Sequence, residues 1–431
     1  MQPCEYQNYL NILQEELLPA MGCTEPIAVA YASALAKDAL GATPIRAKIC
    51  VSGNILKNVK SVVVPNTGGL RGIASAVAAG IVAGKADKKL EVLSDVTSRD
   101  IEGIKALLEK CEFIVEKSCS GEIFDIAVSL YSEQDEAFSR IVGYHTNVVR
   151  VERNKHVIFD SASSCEEINV HGEKKAVTDR SVLSVRNIVE FIENVDVALL
   201  EDTVGKQIEY NTAIAMAGLQ EEYGASVGRV LLSCFGDDVH TRARAMAAAG
   251  SDARMNGCSL PVVIVSGSGN QGMVASLPVA VYAKELGVSR EKTLRAVALS
   301  DLVTIHLKSG IGRLSAYCGA VSAGCGAGAG VCYLYGGDVE QISQTISNAL
   351  AIDSGMICDG AKSSCAAKIA SAVDAGLVGM EMSRKGKKFR SGDGILEGDV
   401  ENTIENVGDI ARNGMRETDE EIIRLMIKNC N

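Results

Sequence analysis

Cys318-Gly-Ala-Val-Ser-Ala-Gly-Cys325-Gly-Ala-Gly-Ala-Gly330 decides how the second half of this 431-residue chain is read. In an exposed helix each of these glycines would cost about 1 kcal/mol relative to alanine. The stretch therefore needs a compensating feature, either neighbouring helices in a crowded core or backbone packed around a bound cofactor. Both readings stay open at this point. The flanking sequence agrees with a helical core: beyond about Ser181, apolar residues recur at helical spacing in Ser184 to Glu193, Tyr210 to Glu222, Val239 to Ala249 and Glu291 to Ile305.

The first half reads differently. Ala47 to Ser52, Ser61 to Val64, Phe113 to Glu116, Ile126 to Tyr131, Ser139 to Val151 and His156 to Asp160 are strand-like, β-branched runs, interleaved with helical patterns at Ile73 to Gly84 and Arg99 to Lys110. Tyr6 to Leu40 has helical spacing interrupted between Pro19 and Pro26, which suggests two short helices joined by a polar turn. The expected fold class is α+β: a mainly helical catalytic domain (181–431), a smaller α+β domain (46–180) inserted near the N-terminus, and N-terminal helices (1–45) that return to the helical domain. Ser383 to Gly398, basic and glycine-containing, reads as a surface loop.

Hydrophobic residues make up 47% of the chain, enough for a sizeable core without covalent staples. A formal charge of −11, with no Lys/Arg run standing out against it, argues against nucleic acid or an anionic membrane as partner. No segment reaches the roughly 18 uninterrupted apolar residues of a membrane helix, and Met1 to Leu10 lacks a signal-peptide pattern, so a cytoplasmic location is expected. Fourteen scattered cysteines are then thiols. Cys50, Cys111, Cys234 and Cys332 sit in apolar runs and read as small buried hydrophobes; Cys4 and Cys430 at the termini suggest no role.

Pro261 to Gly272 looks first like a dinucleotide fingerprint, because Gly267, Gly269 and Gly272 match its spacing. The chain beyond Met273 stays helical and supplies no second strand with its acidic residue. A glycine turn opening a helix still presents bare N–H groups and a positive dipole end, suited to a substrate carboxylate, with Ser268, Asn270 and Gln271 as polar neighbours. Pro65-Asn66-Thr67-Gly68-Gly69 has a similar plan. It is either an ordinary capped turn or a second contact to the substrate's charged groups, through Asn66 and Thr67.

Cys23 beside Glu25 and Pro26, Cys318 at the head of the glycine stretch, and Cys358 with Cys365 close behind are the cysteines that packing does not explain. None forms the CxxC spacing of a zinc ribbon or ferredoxin. Met21-Gly-Cys-Thr-Glu-Pro26, Pro65-Asn-Thr-Gly68, Ser266-Gly-Ser-Gly-Asn-Gln-Gly272, Lys308-Ser-Gly-Ile-Gly-Arg313 with Tyr317-Cys-Gly319, and Met356-Ile-Cys-Asp-Gly-Ala-Lys362 together resemble the L-cysteine desulfidase family, which is related to the α chain of iron–sulfur L-serine dehydratases. The resemblance runs in order through nearly the whole chain. It implies a [4Fe-4S] cluster held by three cysteines with one iron open, and conversion of L-cysteine to hydrogen sulfide, ammonia and pyruvate. Carried over by motif, the ligands are Cys23, Cys318 and Cys358, and Cys365 is the nearest counterpart, after a shorter gap, of a further dehydratase ligand. Cys325 and Cys365 repeat the mutual spacing of Cys318 and Cys358, so the alternatives stay open. Lys362, His306 and Lys308 are the candidate bases, although a lone histidine such as His306 is more often structural; Lys308 and Arg313 could instead pair with the substrate carboxylate. The same chemistry on L-serine is the nearest alternative, ahead of a pyridoxal-phosphate lyase or a thiol sensor. The expected partner is a small amino acid, with assembly into a homo-oligomer left open.

Overall fold

A computed structural model describes residues 3–161 and 178–428. The chain starts with α1 (Pro3–Glu16), β1 (Pro19–Met21) and α2 (Thr24–Leu40). It continues through β2 (Arg46–Val51), α3 (Gly53–Val59), α4 (Gly72–Ala83), α5 (Ser98–Lys110) and β3 (Glu112–Lys117). Four more strands come next: β4 (Asp125–Tyr131), β5 (Glu136–Val142), β6 (Val148–Arg153) and β7 (His156–Asp160). The rest is helical apart from β8 (Pro261–Val263), which lies between α10 (Val239–Met255) and α11 (Gly269–Glu285) and is preceded by α6 (Val185–Asn194), α7 (Ala198–Leu200), α8 (Lys206–Gln220) and α9 (Val227–Phe235). After it come α12 (Arg290–Ile311), α13 (Gly319–Leu334), α14 (Val339–Ile352), α15 (Cys365–Arg384), α16 (Val400–Asp409) and α17 (Arg416–Lys428). The fold is α+β.

The sheet has the order β3-β2-β4-β5-β6-β7, antiparallel except for β2 against β3. Alternation along β2, β4 and β5 buries Ala47, Ile49, Val51, Ile126, Val128, Leu130, Ala137, Ser139 and Ile141 on one face. That face meets α2, where Ser139 Oγ donates to Ala32 O at 2.7 Å. The two N-terminal helices separate: α1 buries Tyr9, Ile12 and Leu13 in the helical core, and α2 buries Ile27, Val29 and Ala30 in the sheet core. Two expected strands differ. Ser61 to Val64 forms only an isolated bridge from Val63 to Arg71, and the run Ser139 to Val151 breaks at a turn over residues 143–147.

The glycines of α13 serve close packing between helices. A Cβ on Gly324 would lie 2.2 Å from Ala372 O of α15, and one on Gly328 2.4 Å from Gly376 O. Two residues round the helix, a Cβ on Gly326 would lie 2.4 Å from Ser300 O of α12, and one on Gly330 2.7 Å from Ala296 O. The two i,i+4 pairs thus let α13 touch helices on two sides, backbone to backbone. α11 bridges the two cores, with Met273 and Leu277 in the sheet core and Val274 and Val279 in the helical one. No helix among the described residues is long and apolar enough to cross a membrane.

Cys111 and Cys332 are buried as expected and Cys50 is half-buried, but Cys234 is exposed on α9, because the helical period turns it to solvent. Cys430 lies outside the described residues. Asp252 of α10 is buried, and its Oδ2 accepts from Gly228 N at 3.0 Å to cap α9. Burial pushes its carboxyl up to about 6. The folded chain therefore holds this proton more tightly than the unfolded chain, so its stability contribution is complete below the unfolded pKa of roughly 4 and is lost as pH rises through 6. Asp252→Asn is expected to stabilise the protein by on the order of 1–3 kcal/mol at pH 8 and not at pH 4. Thermal denaturation at the two pH values checks this, and equal shifts at both would refute it.

Candidate active site

β1 and β8 pair antiparallel, with Pro19 opposite Val263 and Met21 opposite Pro261. This brings the Met21–Pro26 loop beside the Ser266–Gly272 turn, separated from it by more than two hundred residues of sequence. Thr24 Oγ1 donates to Gly267 O at 3.0 Å. The buried guanidinium of Arg254 joins the two loops, with Nε donating to Gly22 O at 2.8 Å and Nη1 to Asn270 Oδ1 at 3.1 Å. A Cβ on Gly22 would lie 2.3 Å from Cγ of Pro65, so the Pro65–Gly69 turn closes on the same loop from the sheet side. β8 is hydrogen-bonded only to β1 among the described strands; the glycine turn opens α11 without the parallel sheet of a dinucleotide fold.

A short antiparallel bridge, Tyr317 to Ile357, aligns the next two motifs. Cys318 N donates to Met356 O at 2.9 Å and Cys358 N to Ala316 O at 2.6 Å. The side chains meet: a hydrogen bond from the Cys318 thiol lowers the pKa of Cys358, helped by the positive charges of Lys57 and Lys368, and the same contact raises Cys318. The two thiols titrate as one pair, in which the contact and the lysines favour loss of one proton. Cys365, the first residue of α15, donates to Gly360 O at 3.7 Å; burial raises its pKa, and the neighbouring Cys358 raises it further. Cys23 is the N-cap residue of α2, and its thiol, 3.3 Å from Glu25 Oε2, is raised by burial and then by that carboxylate. It shares a small apolar cluster with Val62 and Met255, against which Ala361 and Cys365 pack.

Cys318 and Cys358 are thus in hydrogen-bond contact, Cys365 is close enough to act on them electrostatically, and Cys365 also packs against the small cluster that contains Cys23. Cys325 is two turns into α13 and buried among core side chains. Among the described residues no three His, Cys, Asp or Glu side chains are gathered as tightly as ligands of a single metal ion.

The charged candidates part company. Lys308 is buried beside Cys358 and Cys318, burial pushing it down to about 8, and its Nζ donates to Arg313 O at 3.4 Å. His306 is two residues earlier, about 200° round the helix. It faces α16 instead, 2.6 Å from Glu401 Oε2, while Glu401 Oε1 accepts from Val185 N at 2.7 Å. Lys362 is held in its own loop, 2.5 Å from Asp359 Oδ1, and Lys368 reaches the same oxygen at 2.5 Å. Arg313 is half-exposed, pairs with Glu16 at 3.2 Å and lies 5.7 Å over the ring of Tyr144.

Gln271 is buried against Gly319 at the start of α13, and its Oε1 has no partner among the described residues. Ser268 is the N-cap residue of α11, and its backbone pairs with Val265. Asn66, at φ 59°, donates to Leu93 O at 2.9 Å, and the buried Thr67 Oγ1 donates to Val64 O at 2.7 Å. The first ties the turn to the segment before α5 and the second closes the turn on itself.

Several neighbours had no signal in sequence. Arg254 and Lys57 look like ordinary helix residues. Lys57 is nevertheless 1% exposed, donating to Asp419 Oδ1 at 2.5 Å and to Cys358 O at 3.3 Å, so that α3 and α17 together support the cysteine loop. Asn58 Nδ2 donates to Glu25 Oε1 at 3.1 Å. His145, in the turn that breaks the expected strand, is buried next to Gly267.

The profile of the serine dehydratase alpha chain family matches residues 87–424. A UPF0597 protein of Desulfitobacterium hafniense is 54% identical over 425 residues, 99% of this chain and 97% of the relative. A UPF0597 protein of Lachnoclostridium phytofermentans is 51% identical over 98% of this chain and 100% of its own length, and one of Treponema denticola is 44% identical over 99% of each. With a match over most of its length, the chain belongs to the serine dehydratase alpha chain family.

Proposed function

We propose that this protein eliminates the β-sulfur of L-cysteine, releasing hydrogen sulfide, ammonia and pyruvate, and that Cys23, Cys318 and Cys358, with Cys365 beside them, hold a [4Fe-4S] cluster. The observation that carries this reading is the contact between the Cys318 and Cys358 thiols, with Cys365 at the start of α15 near enough to act on both and packed against the cluster that holds Cys23 at the start of α2. The donor set fits such a group: it is all sulfur, which selects soft iron–sulfur chemistry over hard cations. Helix N-termini and the cations Lys57, Lys308 and Lys368 favour the thiolate form that ligation requires. Bound through three cysteines, the cluster would offer one open iron as a Lewis acid for the leaving sulfur.

The chain's own groups bind and orient the amino acid. Lys308 keeps its charge at neutral pH, and with Arg313 it supplies positive charge for the substrate carboxylate. The first N–H groups of α11 add donors, and Gln271 Oε1 offers a buried acceptor to the amino group. His306 and Lys362 are already committed to Glu401 and Asp359, so that of the three only Lys308 is near the thiols, as a cation. Loss of the α-proton and the β-sulfur leaves aminoacrylate, whose imine tautomer hydrolyses to pyruvate and ammonia.

The name of the matched family favours a second reading, L-serine as substrate with hydroxide leaving. Turnover of both amino acids by anaerobically prepared protein, with iron and sulfide analysis, separates the two. The expected result is equal amounts of sulfide, ammonia and pyruvate from L-cysteine, with kcat/KM at least about tenfold above that for L-serine. The reverse order would assign the protein to L-serine, and an iron-loaded protein inactive on both would end both readings.

A further inference from the structure

One buried polar group near the proposed substrate site is still without a role. β5 ends at Val142 and β6 starts at Val148, and the turn between them carries His145 from the sheet to the Ser266–Gly272 turn. A Cβ on Gly267 would lie 3.0 Å from Cε1 of His145 and 3.4 Å from Nη1 of Arg313. The imidazole and the guanidinium therefore flank a position where the chain has no side chain. Phe124 holds the ring edge-on at 4.8 Å between centroids. His145 is 5% exposed, and its Nε2 is enclosed with no partner among the described residues. Leaving such a nitrogen unpaired costs about 1–3 kcal/mol, so the position calls for a water or a ligand.

The charges around the ring are Glu25, Arg313 and Arg254, and burial outweighs them, holding the imidazole neutral down to about pH 4. A neutral imidazole accepts a proton. The carboxylate and the α-carbon of an amino acid are joined by one bond, so a base beside the carboxylate's arginine is beside the α-proton. Lys308 is buried with the thiols, and His306 and Lys362 are engaged elsewhere.

We propose that His145 is the catalytic base of this site, taking the α-proton of the bound amino acid, an assignment that rests on the elimination reaction proposed above. The C–H electron pair becomes the Cα–Cβ double bond as the Cβ–S bond breaks, and the sulfur leaves with the pair of that bond. The proton passes from His145 Nε2 to the departing hydrosulfide, which completes hydrogen sulfide and restores the base.

The test uses iron-loaded His145→Gln and His145→Asn prepared without oxygen and assayed with L-cysteine and with L-cysteine deuterated at the α-carbon. Iron and sulfide content and melting temperature are measured alongside. In a variant that keeps wild-type iron and melting temperature, kcat should fall by about 10²–10⁴-fold with KM within about threefold. The isotope effect on its residual kcat should exceed that of the wild type, because proton removal becomes the slow step. A kcat within about threefold of wild type in either variant would overturn the assignment, leaving His145 a structural residue bonded to water. Wild-type protein that is iron-loaded and turns over neither amino acid would overturn the parent reaction and this assignment with it, an outcome distinct from an active wild type with an active variant.

Discussion

Gly324→Ala is expected to lower the stability of the folded chain by at least about 2 kcal/mol, even though alanine is the better helix former by about 1 kcal/mol. The added Cβ would lie 2.2 Å from Ala372 O and 2.7 Å from Ala372 C, and a backbone carbonyl cannot rotate away as a side chain would. The contact is reciprocal, since a Cβ on Gly376 would lie 2.0 Å from Gly324 O. Relief requires α13 and α15 to separate, and their first turns carry Cys318 and Cys365. Gly310→Ala makes the contrast: it lies in the last turn of α12, and its new Cβ meets only Gly408 Cα, at an ordinary 3.6 Å. It should stabilise by up to about 1 kcal/mol. Thermal or denaturant midpoints moving in opposite directions would bear this out; a neutral Gly324→Ala would mean that the helices are not in backbone contact.

Iron binding should disappear in Cys358→Ala and survive in Cys325→Ala. Cys358 is paired with Cys318, with Lys57 and Lys368 lowering its pKa, and its loop is fastened on three sides, by Ala316 O to its own N–H, by Lys57 at its carbonyl and by Lys368 at Asp359. Removing the sulfur takes out a proposed ligand and leaves the loop's other fastenings in place. Cys325 is a buried thiol in the interior of α13, and its truncation costs packing, about 1 kcal/mol, with no donor lost. The measurement is iron and acid-labile sulfide per chain after anaerobic reconstitution, together with visible absorbance. If Cys358→Ala retains the wild-type iron, the proposed ligand set is wrong; if Cys325→Ala loses it at unchanged stability, Cys325 belongs in the set.

Much of the site could be read in the chain before folding, because its motifs are local. The Met21–Pro26, Ser266–Gly272 and Met356–Lys362 segments combine turn-forming glycines with polar neighbours, and each does open or precede a helix. The limits are equally local in origin. His145 was hidden because β-branched residues flank it on both sides between Ser139 and Val151, and only Gly143 and Asn147 hint at the turn that delivers the ring to Gly267. His306 and Lys308 looked equivalent as neighbours in sequence, yet a helix sends them to opposite sides, one to Glu401 and the other to the thiols. Asn66 and Thr67 had the composition of a ligand-binding turn, and their side chains bond to Leu93 and Val64.

The amino-acid sequence by itself determined the α+β class, most of the strands and helices and the distinctive cysteine contexts, since periodicity, caps and turn chemistry act over a few residues. Tertiary structure alone decided that the glycines of α13 admit two neighbouring helices, that Cys318 and not Cys325 faces Cys358, and that Arg254, Lys57 and His145 join the motifs. Those outcomes depend on helix crossings, on the Tyr317–Ile357 bridge and on the β1–β8 pairing, contacts that range from Gly326 with Ser300 to Pro19 with Val263 and leave no mark on any local stretch of chain.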